Sequence, residues 1–343
     1  MPHRTLAFLL STCLLCSAVV AEDAPPDWMS YGAWQPVEIS TSYYSLEVLE
    51  NGQVGLWFNA HFQGHDAVIH LSGPDPSDLE RVLPRFNAEI IHDYDQELGG
   101  RDSPIMSRSS ATRLNDGSVL VLASIGPAYD GGRSELFPAL FYSANGVDGW
   151  RHLGPPAGEA EVWLAEQRRA GKRIRCEGGG IVQLPDGRLR MYNQNLGAPL
   201  AVLEADRPEG PWTFVRDEQG EVHNALQGLG GGWLFPQVSA IGEHGYLLTG
   251  GNTWPPTAIV AAVSADGLRF VPPQGAEEPA VIFRPGWLAP DARQAKTLRV
   301  AWDEDRQRLL AMSNPLAAGR WSLFWTWAHL DLTVFTANGD PGE

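Results

Sequence analysis

Glu177 is the carboxyl group whose setting in this chain most invites acid–base chemistry. It stands in Arg175-Cys176-Glu177-Gly178-Gly179-Gly180, beside a cysteine and ahead of a glycine run. Glycine lets backbone or ligand approach closely, and the apolar stretch Ile181 to Leu184 follows. A carboxyl partly withdrawn from water keeps its proton to higher pH, which makes it a usable donor near neutrality. The structural alternative is that Glu177 pairs with Arg175 or Arg108 and ties segments together. Arg108, Arg175 and Arg299 each open an apolar stretch, and brought together they would hold a carboxylate through charge-assisted bonds. Gln237, in Phe235-Pro236-Gln237, stands at a similar opening. Asn252 and Trp254, in Gly250-Gly251-Asn252-Thr253-Trp254-Pro255, offer a polar group and a ring of the kind that stacks on sugar C–H faces.

The elements that must position these residues repeat along the chain. An alternating apolar stretch, a tight turn, a second such stretch and a looser pair recur five times. The turns are Asn51-Gly52, Asp116-Gly117, Asp186-Gly187, Glu243-His244-Gly245 and Asp303-Glu304-Asp305, spaced by 65, 70, 57 and 60 residues. Asn-Gly and Asp-Gly between such runs predict hairpins with type I′ turns. A repeat of this length with about four short strands is the size of a propeller blade. The expectation is an all-β, five-bladed β-propeller forming one domain over residues 22–343. Blades cannot bury their faces singly, so the repeat argues against two domains. The segment Pro36 to Ser40 is expected to complete the last sheet and close the ring. Chemistry is then sought at one mouth of the axis, where the innermost strands begin. Glu159 to Arg173 has a helical pattern and reads either as a cap over that mouth or as a decorated connector.

Residues 1–21 read as a secretory signal: Arg4, the apolar run Leu6 to Val20, then small residues before Glu22. A periplasmic or extracellular location follows from that reading. Cleavage removes Arg4, Cys13 and Cys16, leaving 24 basic against 41 acidic side chains, a net charge of -17, and Cys176 as the remaining cysteine. Such a chain repels nucleic acid and anionic membranes, and no later segment reaches the roughly 18–20 apolar residues of a spanning helix. The nine histidines show no ligand spacing, and no phosphate loop or dinucleotide fingerprint is present. Neither metal nor cofactor is expected.

Ser143-Ala144-Asn145-Gly146 before Trp150 and Ser264-Ala265-Asp266-Gly267 before Phe270 resemble the Asp-box hairpins of sialidases and other propellers. The whole rhythm resembles the five-bladed glycoside hydrolases, the arabinanase, xylosidase and invertase-like group. Arg175 to Gly179 is similar to their third-blade stretch bearing the acid/base glutamate, which implies that role for Glu177. Gly100-Arg101-Asp102-Ser103-Pro104 resembles their Arg-Asp-Pro segment, with Ser103 inserted, which implies that Asp102 steadies the transition state or tunes the acid. These enzymes place an aspartate on the first inner strand, where this chain has Thr41-Ser42-Tyr43-Tyr44-Ser45. Glycoside hydrolysis ordinarily uses two carboxyl groups, so Asp27, Glu47, Asp66 and Asp102 are candidates for the second. The resemblance implies a carbohydrate substrate. Two alternatives stay open. One is a sialidase-like or uronate-cleaving site built on the arginines, with Tyr43 or Tyr44 as nucleophile or a tyrosine or His61 as base. The other is a non-catalytic propeller that binds glycan or protein.

Overall fold

The computed structural model describes residues 24–37, 39, 41, 44–49, 51–62, 65–81, 105–126, 135–273, 276–288, 291–317 and 320–336. Five antiparallel sheets stand round one axis as a five-bladed propeller. Blade one holds β3 (Tyr44–Val48), β4 (Val54–Phe62), β5 (His65–Gly73) and β6 (Glu80–Arg81). Blade two holds β7 (Ile105–Arg113), β8 (Val119–Gly126), β9 (Phe137–Ser143) and β10 (Arg151–Gly154). Blade three is β11 (Glu177–Gln183), β12 (Leu189–Gln194), β13 (Leu200–Ala205) and β14 (Thr213–Phe214). Blade four is β15 (Leu234–Ile241), β16 (Gly245–Gly251), β17 (Ile259–Ser264) and β18 (Ala280–Phe283). Blade five contains β19 (Gln294–Asp303), β20 (Arg308–Ala317), β21 (Arg320–Trp321) and β22 (Leu323–Leu330).

The ring closes as expected, with one strand more than expected. β2 (Gln35–Val37) pairs with β22 through Pro36 opposite Phe324, and β1 (Met29–Tyr31) extends the same sheet through Ser30 opposite His329. N-terminal strands completing the last blade remove the exposed edge of an open sheet. In blade four the short run Arg269 to Val271 makes only a bridge, between Val263 and Val271, and the outer strand proper is β18. A short local apolar pattern could not tell which of two segments pairs.

The three Asn-Gly and Asp-Gly turns share one geometry, and it is not type I′. Gly52, Gly117 and Gly187 have φ of 74°, 85° and 89°, while the Asn or Asp before each has no positive φ. Leu114 N–H donates to the Ser118 carbonyl at 2.8 Å, leaving a three-residue loop, and Leu184 to Arg188 repeats it at 2.8 Å. In such loops glycine alone occupies the left-handed position. The acidic or amide side chain instead accepts the N–H two residues on: Asn51 from Gln53 at 3.0 Å, Asp116 from Ser118 at 2.9 Å, Asp186 from Arg188 at 3.0 Å. That is the Asx turn, and it explains the residue choice without a second positive φ.

The core lies between blades. Along β8, Val119, Val121 and Ala123 pack towards blade one, while Leu120 and Leu122 pack towards blade three. Every residue of β8 is buried. A strand buried on both faces reads as a continuous apolar run, not the alternation expected of a half-exposed one. Five buried clusters occupy the five interfaces.

The inner strands β3, β7, β11, β15 and β19 neighbour one another in sequence round the axis, β19 returning to β3. Side chains stitch them together: Ala111 N–H donates to Ser45 Oγ at 2.9 Å, Thr112 Oγ1 to the Ile181 carbonyl at 2.6 Å, and Ser239 Oγ to the Val300 carbonyl at 3.1 Å. Helix α1 (Glu159–Arg169) is a peripheral connector and does not cap the mouth. Its start is tied to the outer edge of blade three, where Glu159 N–H donates to the Trp212 carbonyl and Glu159 Oε2 accepts from Phe214 N–H. Its buried residues, Ala160 and Leu164, join the cluster between blades two and three. A short helix α2 (Thr333–Thr336) ends the described chain.

Candidate active site at the mouth of the propeller

Four inner strands carry a register shift near their start: between Ser107 and Ser110, Glu177 and Gly179, Leu234 and Gln237, and Ala295 and Leu298. Bulges of this kind bend a strand and re-aim its side chains, and they gather beside active sites. Here they ring the mouth.

Glu177 sits on the bulge of β11, its side chain 11% exposed. Its Oε1 accepts a close charge-assisted bond from Arg175 Nε. Glu177 is thus ion-paired with Arg175, at the opening of the third inner strand. The local chain explains its placement. Gly178 and Gly179 have φ of 66° and 106°, values that only glycine adopts without strain. A Cβ on Gly179 would lie 1.8 Å from the Tyr192 carbonyl oxygen, whereas one on Gly178 would meet nothing closer than Phe235 Cα at 3.6 Å. Upstream, Arg175 bridges Leu136 of blade two, Cys176 N–H donates to the Leu136 carbonyl at 2.9 Å, and Asn195 Nδ2 donates to the Arg175 carbonyl at 3.2 Å. Cys176 is fully buried, and burial pushes its thiol up to about 12. It serves packing, not nucleophilic chemistry.

Gln237, on β15, is 7% exposed, and its Oε1 has no hydrogen-bond partner. It stands at the inner end of an axial cavity of about 320 Å³ that runs to the opposite end of the inner strands, lined there by Glu47, Arg113, Gln183 and Trp302; Glu177 is not in its lining. Trp233 Nε1, also buried and without a partner, lies on the same blade just before β15. Buried donors and acceptors left unmatched are costly, so unmatched groups of both kinds beside a mouth are apt partners for ligand hydroxyls.

Trp254 is exposed, at 70%, while Trp28 and Trp233 are buried. Trp254 sets its ring edgewise to Phe235, centroids 6.0 Å apart. Asn252 is engaged within its own loop: Oδ1 accepts N–H bonds from Thr257 at 3.2 Å and Ala258 at 3.1 Å. Its contribution is to hold the loop that presents Trp254.

The three arginines are placed differently. Arg175 is bound to Glu177. Arg299 is 2% exposed, wedged beside Tyr44 between blades five and one. Arg108 lies in β7, and only its backbone is described. Tyr44 is fully buried, donates its hydroxyl to the Met312 carbonyl at 2.7 Å, and has its pKa raised chiefly by burial. That setting disfavours the phenolate a nucleophilic tyrosine needs. Asp102, residues 1–21 and Tyr43 lie outside the described residues, as do the side chains of His61 and Asp66. Glu47 is at the other end of its strand, bound by Arg113, His70 and Trp57. Among the described residues no group of three or more His, Cys, Asp or Glu side chains could hold a metal ion, and no helix is long and apolar enough to cross a membrane.

Phe235, Lys296 and Trp321 were not singled out by sequence as a unit. Phe235 adopts φ 53°, uncommon for a bulky residue. No sequence signal predicted it, because the strain is imposed by the β15 bulge.

No protein-family model matches the chain, and no curated protein matches it in sequence. Among solved structures it is similar to a glycosyl hydrolase from Bacteroides ovatus, at 15% identity and a TM-score of 0.55 over 88% of this chain and 94% of that one. It is also similar to a structure from work on the family of mannoside phosphorylases containing glycoside hydrolases that target β-1,2 mannosidic linkages in Candida mannan, at 14% identity, a TM-score of 0.56, and 88% and 96% coverage. The Bacillus subtilis arabinanase matches at 10% identity and a TM-score of 0.54 over 86% of this chain and 97% of that one. The expected resemblance to propeller glycoside hydrolases is thus met in the fold.

Proposed function

We propose that this is a secreted carbohydrate-active propeller that hydrolyses a glycosidic bond, with Glu177 as general acid. The observation that carries the reading is a largely buried glutamate at the opening of the third inner strand, set on a two-glycine bulge. Unmatched polar atoms of Gln237 and Trp233 and the exposed Trp254 ring lie on the next blade. Likeness of fold to glycoside hydrolases supports the same reaction class. In this reading Glu177 protonates the leaving oxygen once substrate draws Arg175 off the carboxyl, since the bond between them favours the carboxylate. Asp102 supplies a second carboxyl, on the strength of the Gly100 to Pro104 resemblance. The amino-terminal apolar run supports export to the periplasm or medium.

The test is Glu177→Gln against a panel of aryl-glycosides and polysaccharides. On a substrate the wild type cleaves, loss of general acid catalysis lowers kcat by about 10²–10⁴-fold with the melting temperature nearly unchanged. Full activity in the variant, or loss of folding, would show the glutamate to be a structural member of an ion pair.

A further inference from the structure

The axial cavity opens at the far ends of the inner strands, beside the exposed Asn115 and Gly242. Most of the polar side chains along its wall are already bonded. Thr112 and Ser239 donate to the Ile181 and Val300 carbonyls. Gln183 accepts from Asn115 N–H at 2.7 Å and donates to the Gly187 carbonyl at 3.1 Å. The two charged residues of the lining, Glu47 and Arg113, face each other through Arg113 Nε at 2.9 Å and Nη2 at 3.1 Å. The exception stands at the inner end. Gln237 is 7% exposed, and its Oε1 has no hydrogen-bond partner among the described residues. An unmatched buried acceptor is costly, and such a group calls for an explanation. Ser110, 3% exposed, brings a hydroxyl to the same end. Gly180 lies beside both: a Cβ there would stand 3.4 Å from Ser110 Oγ and 3.9 Å from Gln237 Cγ, ordinary contacts, and its backbone is not left-handed. The fold therefore does not require glycine at 180. What glycine provides there is room next to the unmatched amide.

We propose that this cavity is a second binding site, entered from the end of the propeller opposite Glu177, for a neutral polyhydroxylated molecule of monosaccharide size. One ligand hydroxyl donates to Gln237 Oε1, and the C–H faces rest against the apolar wall that Leu46, Ile181 and Val238 supply. The volume of about 320 Å³ lies at the small end of the roughly 300–1,000 Å³ typical of small-molecule sites. Neutrality follows from the lining. A charged ligand would have to break the pair between Glu47 and Arg113 to find a counter-charge, which strands the other partner. The site does not depend on hydrolysis at the mouth.

The test follows the Gln237 side-chain amide by nitrogen–proton NMR, its signal identified by its loss in Gln237→Met. The protein is titrated with D-glucose, D-galactose, D-mannose and L-arabinose, and with D-glucuronate and protonated D-glucosamine as charged counterparts. At least one neutral sugar should shift the amide saturably, and both charged sugars should bind it at least about tenfold more weakly. Ala240→Trp places an indole in the far half of the cavity, where Ala240 is half-buried, and should abolish the shift. Ala240→Leu, which narrows the same passage, replaces it if the tryptophan variant does not fold. Trp254→Ala, at the mouth, should leave the titration unchanged. A saturable response to none of the four neutral sugars would mean that the cavity holds only water. A response that survives blockage at Ala240 and is lost in Trp254→Ala would place the ligand at the mouth. Either result, or equal affinity for neutral and charged sugars, overturns the proposal and leaves the hydrolase reading intact. Conversely, undiminished turnover by Glu177→Gln would refute that mechanism and leave the axial site standing.

Discussion

Two adjacent glycines offer a sharp test of how the acid is positioned. At Gly178 an added methyl would meet Phe235 Cα at 3.6 Å and Gln194 Oε1 at 3.8 Å, which is ordinary contact. The cost of Gly178→Ala is therefore that of a left-handed backbone at φ 66°, about 1–2 kcal/mol. At Gly179 the φ of 106° lies further from any L-residue minimum, and the methyl would sit 1.8 Å from the Tyr192 carbonyl oxygen. Relieving that overlap moves backbone by more than about 1 Å and breaks the bulge in β11, which places Gly179→Ala among the severe substitutions, at roughly 4 kcal/mol or more. A displacement of that size at a catalytic group costs on the order of 10²-fold in rate. Urea unfolding of both variants, with turnover measured on the folded fraction, reads the two quantities separately. Gly178→Ala should lose modest stability, and Gly179→Ala should lose most of a typical domain's reserve together with activity. If the two variants unfold within about 1 kcal/mol of each other, the bulge geometry assigned to Glu177 is wrong.

Other consequences follow from groups away from the mouth. Glu47 lies 2.8 Å from His70 Nε2 and accepts bonds from Trp57 Nε1 at 3.0 Å and Arg113 Nε at 2.9 Å, joining blades one and two. Burial raises its pKa, but the bonds from His70 and Arg113 outweigh that and leave it below the ordinary 4.5. Its contribution to stability is thus complete above that value and drains away as pH falls through the lower folded pKa. Glu47→Ala should cost about 3–5 kcal/mol at neutral pH by stranding Arg113 and Trp57, with the difference from wild type narrowing in acid-denaturation curves. Asp266 accepts N–H bonds from Leu268 at 2.8 Å and Arg269 at 3.0 Å and a hydroxyl bond from Ser264 at 2.9 Å. Asp266→Ala should lower stability by about 1–2 kcal/mol without changing turnover, as expected of a turn far from the mouth. The Cys176 thiol should resist alkylation in the native protein and react on unfolding; rapid native labelling would contradict its complete burial.

Much of the architecture was legible because propellers are written locally. Three inner hairpins announce themselves through Gly52, Gly117 and Gly187, each preceded by a residue that bonds the turn, and the spacing then counts the blades. The turn type was misread because Asn-Gly and Asp-Gly suit both a two-residue type I′ loop and a three-residue loop. The sequence does not show which N–H the side chain will accept. The sequence does not separate Arg269 to Val271 from β18 for a related reason: β18 is selected by competition for the edge of β17, a non-local matter. In the site, the opening of β11 exposed Glu177, Gln237 was found by analogy of position, and Trp254 by its loop composition. Asn252 looked like a ligand-binding amide, yet it bonds to Thr257 and Ala258, a distinction that needs coordinates.

The chain alone determined the number of blades, the strand that bears Glu177 and the glycines that bend it, because hairpin chemistry and backbone permissiveness act within a few residues. Only the folded ring decided that Tyr44 is sealed beside Arg299, that Trp254 sets its ring edgewise to Phe235, and that Lys296 lies over the Phe235 and Trp321 rings. Those groups come from separate strands and loops whose approach is set by how neighbouring sheets bury each other's faces, and burial between sheets leaves no fixed spacing to read.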